Sequence, residues 1–193
     1  MNQIGLYGGS FDPIHLGHLL VAQAAYEELQ LDKLVFIPAA RSPFKPDSEP
    51  LEAHQRLRLI RLALAGRTEF DVYESEIQSG GVSFTIDTVR RFITRYPSAR
   101  FIYLIGTDHI ATLPQWKEAA ALSELVEFAV IPRLGEQMVD SPVGFRCRFL
   151  RGFPIELSSS AIRDRIRAGR SIDLMVPAAV AEVIYHYRLY SSN

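Results

Sequence analysis

Short apolar runs alternate along the chain with longer stretches of helical period. The runs IGLYG (4–8), KLVFIPA (33–39), FDVYE (70–74), RFIYLIG (100–106) and VEFAVIP (126–132) each predict a strand, most of them closed by Gly or Pro. Between them the apolar spacing changes. LLVAQAAYEELQ (19–30) reads as a first helix, Leu57, Ile60 and Leu64 share a face of a second, and Ile86, Val89 and Ile93 line a third. Strands separated by helix-length segments build βαβ units. The prediction is therefore an α/β fold with a mainly parallel sheet, helices on both faces and right-handed crossovers.

The last third departs from that rhythm. GFRCRFL (144–150) is a further candidate strand. Ser158 to Ser160 can cap a helix that carries Ile162 and Ile166 and stops at Gly169. A final helix is predicted within 176–190, with Pro177 near its start and Val180, Val183, Ile184 and Tyr187 on one face. No internal repeat is visible. A chain of 193 residues suits a single domain, 1–193, in which 158–193 forms a C-terminal helical segment. The longest loop, PAARSPFKPDSEP (38–50), holds four prolines and is a candidate lid or substrate loop.

Composition narrows the function classes. With 48% hydrophobic and 22% charged residues the chain can bury a sizeable core. The net charge is −1 without a single-sign block, so nothing supports a broad basic face for nucleic acid. No apolar run approaches the roughly 20 residues that cross a bilayer. The opening MNQIGLYGGS lacks the pattern of a secretory signal, and a cytoplasmic protein is expected. The single Cys147 excludes an intramolecular disulfide and a cysteine-rich zinc site. Oligomeric state is left open.

The candidate chemistry begins at GGSFDPIHLGH (8–18), which follows the first strand and precedes a helix. In an open α/β sheet that is where ligands bind. Gly8 and Gly9 let a large anion approach the backbone and allow a turn with positive φ. Ser10 and nearby amides are suitable phosphate donors at a helix N-terminus. His15 and His18, three residues apart, share one side of a first helical turn. A glycine turn with one capping and one buried histidine remains the alternative. A zinc pair is poorly supported, since helical pairs sit at i,i+4. GLYGGSF does not match the G-x-G-x-x-G fingerprint, and no Walker lysine follows. Three more stretches stand out. Ser159, Ser160 and Arg163 occupy a helix start suited to an anion, or else form a plain serine cap with a solvated arginine. Gly106 and Asp108 follow a strand, where Asp108 can accept from ribose hydroxyls or cap the next helix. Trp116, the sole tryptophan, is either core or a stacking face.

GGSFDPIHLGH closely resembles the signature of the nucleotidylyltransferase superfamily, with His15, Leu16, Gly17 and His18 as the Thr/His-x-Gly-His core. In its wider form the string resembles the bacterial nicotinate-nucleotide adenylyltransferase family. SFTIDTVRRFITRYP, FIYLIGTDHIATLPQWKEAAAL, VIPR and LSSSAIRDRIRAG are similar to family segments in the same order, so the likeness runs nearly the whole chain.

That resemblance implies a Rossmann-like domain that joins nicotinate mononucleotide to the AMP part of ATP and releases pyrophosphate, with Mg²⁺ accompanying ATP and no tightly bound prosthetic group. It implies that His15, His18 and Arg163 carry the catalysis. The ATP site would be formed by Gly8, Gly9, Ser10, Phe11, the two histidines, Gly106, Asp108, Arg133, Ser159, Ser160 and Arg163, with segment 158–193 completing it. Lys45, Thr85 and Trp116 would meet nicotinate mononucleotide. Phosphate contact would favour charged histidines. Where family members read Pro-Pro-His-Lys this chain reads SPFK, so Phe44 stands at a histidine position.

Overall fold

The computed structural model describes residues 2–40, 50–132, 140–153 and 155–191. Six strands form one sheet: β1 (Gln3–Gly9), β2 (Lys33–Pro38), β3 (Phe70–Val72), β4 (Arg100–Gly106), β5 (Glu127–Ile131) and β6 (Cys147–Phe149). Their order is β3-β2-β1-β4-β5-β6 and every pairing is parallel, so the expectation of a mainly parallel sheet is met in full. The candidate strand 144–150 contracts to β6.

Alternation along the central strands divides the core into two layers. Leu34 and Phe36 of β2 and Ile102 and Leu104 of β4 enter one cluster, while Val35, Ile37, Phe101, Tyr103 and Ile105 enter the other. Successive side chains point to opposite faces, and a parallel sheet must bury both. The first layer is covered by α1 (Leu16–Glu28), α2 (Ala53–Leu64), α6 (Ser159–Arg167) and α7 (Ala178–His186). The second is covered by α4 (Thr85–Arg95), a 3-10 helix (Thr107–Gln115) and α5 (Ala119–Leu125).

Three short elements have no counterpart in the sequence-based prediction: α3 (Ser75–Ser79), the 3-10 helix and α5. Two boundaries also move. The first helix begins at Leu16 because His15 caps it. The last helix ends at His186, and Tyr187, expected on its buried face, is 47% exposed.

The strand order reverses between the parallel neighbours β1 and β4, from which the sheet grows outward through β2 and β3 on one side and through β5 and β6 on the other. At that switch point the two strands' carboxyl ends part, leaving a crevice into which loops from both halves project.

Candidate active site

The carboxyl ends of β1, β4 and β5 open onto a cleft of about 520 Å³. Twelve of the residues singled out in the sequence line it. Gly8, Gly9, Ser10, Phe11, His15 and His18 come from the β1–α1 connection, and Ser159, Ser160 and Arg163 from α6. Gly106, Thr85 and Trp116 come from the far half of the sheet. Asp108 is exposed in the first turn of the 3-10 helix, outside the lining, with its carboxylate 3.9 Å from Nε2 of His109. Lys45, Phe44 and Arg133 lie outside the described residues.

The turn with positive φ expected of the glycines is not found. Gly8 and Gly9 end β1, and neither has a positive φ; that conformation falls to Phe11, at 46°. What the glycines provide is room. A Cβ on Gly8 would lie 2.2 Å from the Tyr103 hydroxyl, and one on Gly9 would lie 2.9 Å from the Phe11 ring. Phe11 is buried and meets Tyr7 and His18 edge-on, at 5.4 and 4.9 Å between ring centres. The Asp12–Pro13 peptide is cis.

The histidine pair is both the cap of α1 and part of the cleft wall. The His18 amide donates to Nδ1 of His15, and the His15 amide donates to Nδ1 of His18, a reciprocal capping box. The rings stack at 3.7 Å. An Nδ1 that accepts an amide carries no proton, so each neutral ring keeps its proton on Nε2. Burial lowers the His15 pKa to about 4. His18 is pushed well below its ordinary value by burial and then by the charge of His15. In the free fold both rings are therefore neutral at pH 7, and charging them by phosphate contact has to overcome burial, stacking and the cap.

The opening of α6 is tied to the same loop. Ser158 caps the helix by accepting from the Ala161 amide at 3.2 Å, and its Oγ lies 3.0 Å from that of Ser160. Ser159 Oγ donates to the Pro13 carbonyl at 2.9 Å. Arg163 donates to the Asp12 carbonyl at 2.7 Å. The serine cap, one of the two alternatives in the sequence, is therefore present, and the turn that carries it lines the cleft.

At the other end of the cleft, Thr85 begins α4 and its Oγ1 lies 3.5 Å from the Tyr103 hydroxyl. Trp116 stands edge-on to Tyr103 and Phe128, at 6.3 Å from each, and its Nε1 donates to Thr112. Core packing and a cleft-facing surface are again combined.

Sequence reasoning missed several residues here. Glu76, from α3, lines the cleft and accepts from the hydroxyls of Thr88 and Ser83; burial raises its carboxyl pKa against those bonds. Lys117 pairs with Asp87 at 2.9 Å and lies 4.6 Å over the Phe84 ring. Nothing in the sequence marked Glu76, because a glutamate in a polar stretch reads as surface. Lys117 had a weak signal in its adjacency to Trp116.

Arg56 was also missed, and it anchors the site from below. The side chain is buried, and it donates to the carbonyls of Leu51 (2.9 Å), Ser10 (2.8 Å), Ala39 (2.8 Å) and Ala40 (3.3 Å). It thereby joins the β1–α1 loop to the chain on both sides of segment 41–49.

A parallel sheet of this order, with a histidine cap and a serine-arginine turn at its switch point, defines a nucleotide-transferring class. The chain belongs to the cytidylyltransferase-like family, whose model matches residues 6–165. Its relatives narrow the class. A protein of Gemmatimonas aurantiaca named "Probable nicotinate-nucleotide adenylyltransferase" is 42% identical over 195 residues, covering 97% of this chain and 92% of that one. A protein of the same name from Exiguobacterium sibiricum is 40% identical, covering 98% of this chain and all of the relative. Among solved structures, the Plasmodium falciparum nicotinic acid mononucleotide adenylyltransferase complexed with NaAD has a TM-score of 0.78 at 21% identity, over 98% of both chains. That likeness shows the shared fold.

Proposed function

We propose that the protein transfers AMP from ATP to nicotinate mononucleotide, forming nicotinate adenine dinucleotide and pyrophosphate in NAD biosynthesis. The observation that carries this reading is the near full-length identity of about 40% to relatives bearing that name, in a chain of which twelve sequence-singled residues line one cleft.

In this reaction the acceptor's phosphate oxygen attacks the α-phosphorus of ATP, and the bond to the bridging oxygen breaks as pyrophosphate leaves. The nucleophile is already part of the substrate, so the protein's task is alignment and charge stabilisation. His15 and His18 offer Nε2–H donors to the phosphates. Arg163 has guanidinium donors beyond the one given to Asp12, and these reach for the departing pyrophosphate. Gly8 and Gly9 carry the backbone past the phosphates, and Ser10, Ser159 and Ser160 supply hydroxyls and amides. Gly106 and Asp108 belong to the adenosine side. Thr85 and the first amides of α4 meet the nicotinate carboxylate, with the Trp116 face beside the pyridine ring. Lys45 and Arg133 complete the assignment from segments 41–49 and 133–139.

Mg²⁺ enters with ATP, where it would neutralise phosphate charge. Among the described residues no group of three His, Cys, Asp or Glu side chains converges as a metal site.

Pyrophosphate release tests the reading, with ATP and nicotinate mononucleotide, nicotinamide mononucleotide or phosphopantetheine in turn. The highest kcat/KM is expected with nicotinate mononucleotide. Release with none of the three would remove the enzyme reading, and preference for another acceptor would remove the substrate assignment.

A further inference from the structure

The loop between β1 and α1 is gripped by parts of the chain far from it in sequence. Arg56 holds the Ser10 carbonyl, Arg163 the Asp12 carbonyl and Ser159 the Pro13 carbonyl. These grips act on the backbone. The Asp12 side chain is held as well: its Oδ1 accepts the Tyr190 hydroxyl at 2.7 Å and the Leu51 amide at 3.2 Å, while its Oδ2 lies 3.9 Å from the Arg163 guanidinium. Asp12 is only 7% exposed, so water does not replace a lost donor freely.

Tyr190 reaches Asp12 because the chain turns back after α7. Arg188 and Tyr190 both adopt positive φ, at 49° and 65°. The amides of Leu189 and Ser191 bond to the carbonyls of Ile184 and Arg188. Two non-glycine residues in the left-handed region are a cost that the fold accepts at this turn. The turn brings a phenol 178 positions away in sequence onto the carboxylate of the loop. Burial and the Asp12 charge raise the Tyr190 pKa, so the phenol stays a donor.

We propose that Tyr190 is a positioning residue for nucleotide transfer: its hydroxyl fixes the Asp12 carboxylate and so sets the loop that carries Ser10, the His15–His18 pair and the carbonyl holding Arg163. This rests on the function proposed above. Transfer by alignment is sensitive to small displacements, since about 1 Å of misplacement can cost on the order of 10²-fold in rate. Tyr190 touches no reacting group; its effect passes entirely through Asp12.

The test is a double-mutant cycle of Tyr190→Phe and Asp12→Asn, read by pyrophosphate release at a temperature where all variants are folded. ATP affinity is measured beside it by calorimetry. Tyr190→Phe is expected to lower kcat/KM for ATP by about 10- to 100-fold, with the acceptor KM unchanged within about twofold. Asp12→Asn should act similarly, and the double variant should be no worse than the more impaired single. Tyr187→Phe, a change to an exposed tyrosine, should leave activity unchanged. Independent, multiplying effects would overturn the proposal. So would activity within about twofold of the parent in Tyr190→Phe, or losses shared equally by the acceptor KM. If the parent itself releases no pyrophosphate, the transfer reading fails. Unaltered ATP affinity in Tyr190→Phe would then overturn the positioning role on its own terms.

Discussion

The amide of His18 donates to Nδ1 of His15 at 3.3 Å while the amide of His15 donates to Nδ1 of His18 at 3.2 Å, so two cleft-lining imidazoles are also the N-terminal cap of α1. One pair of side chains therefore couples helix stability, tautomer and site chemistry. Protonating either Nδ1 breaks a capping bond.

Stability is expected to fall as acid is added. The unfolded histidines titrate near 6.5, whereas burial lowers folded His15 to about 4 and folded His18 well below its ordinary value. Between about pH 6.5 and 4 the unfolded chain binds protons that the native chain does not, so unfolding is favoured as pH falls. The His15 share is on the order of 3 kcal/mol across that window. Urea denaturation of the parent and of His15→Asn, which keeps a capping acceptor, checks this. The parent should lose stability between pH 7 and 5 more steeply than the variant; equal slopes would show that His15 does not carry the effect.

His18→Ala is expected to lower kcat by about 10²–10³, the scale for losing one preorganised transition-state contact. Steady-state assays on folded protein decide it. An unchanged kcat would take His18 out of the mechanism. Far-ultraviolet circular dichroism should accompany the assay, because the variant also loses half of the capping box.

Gly8→Ala should cost about 1–3 kcal/mol, because its Cβ would fall 2.2 Å from the Tyr103 hydroxyl in a packed layer. Adding Tyr103→Phe removes that oxygen and should recover part of the loss. Recovery will be incomplete, since the ring carbon behind it would still lie at 3.1 Å. Strictly additive losses in thermal denaturation would mean that the two positions do not collide.

Arg56→Met should destabilise the fold by about 3–5 kcal/mol, the range for removing one member of a buried charged arrangement. Four main-chain carbonyls lose their donors, and Asp12 loses a nearby positive charge. Arg56→Lys should rescue little, because an ammonium cannot span the same fork of acceptors. A urea midpoint close to the parent's in either variant would contradict this account.

Much of the sheet was legible because its buried central strands are continuous apolar runs, and all six strands fall on stretches read as strands. The longer helices were legible from apolar spacing. Elements α3 and α5 were not, since five and seven residues hold too few apolar positions to establish a period, and the 3-10 helix does not follow the 3.6-residue spacing. Arg56 was hidden for a different reason. A charged residue on an amphipathic helix reads as solvated, and only the carbonyls brought to it from three segments make its burial tolerable.

Residue types in order along the chain determined the α/β architecture, the histidine and serine-arginine motifs and the family they belong to. Only the tertiary structure decided what those residues do to one another. It turned Gly8 from a turn residue into space for Tyr103, made the histidines each other's caps, and set Tyr190 on Asp12. The reason is physical. Local pattern follows from neighbours in sequence, whereas space, burial and a buried group's partner depend on segments that meet only once the sheet has closed.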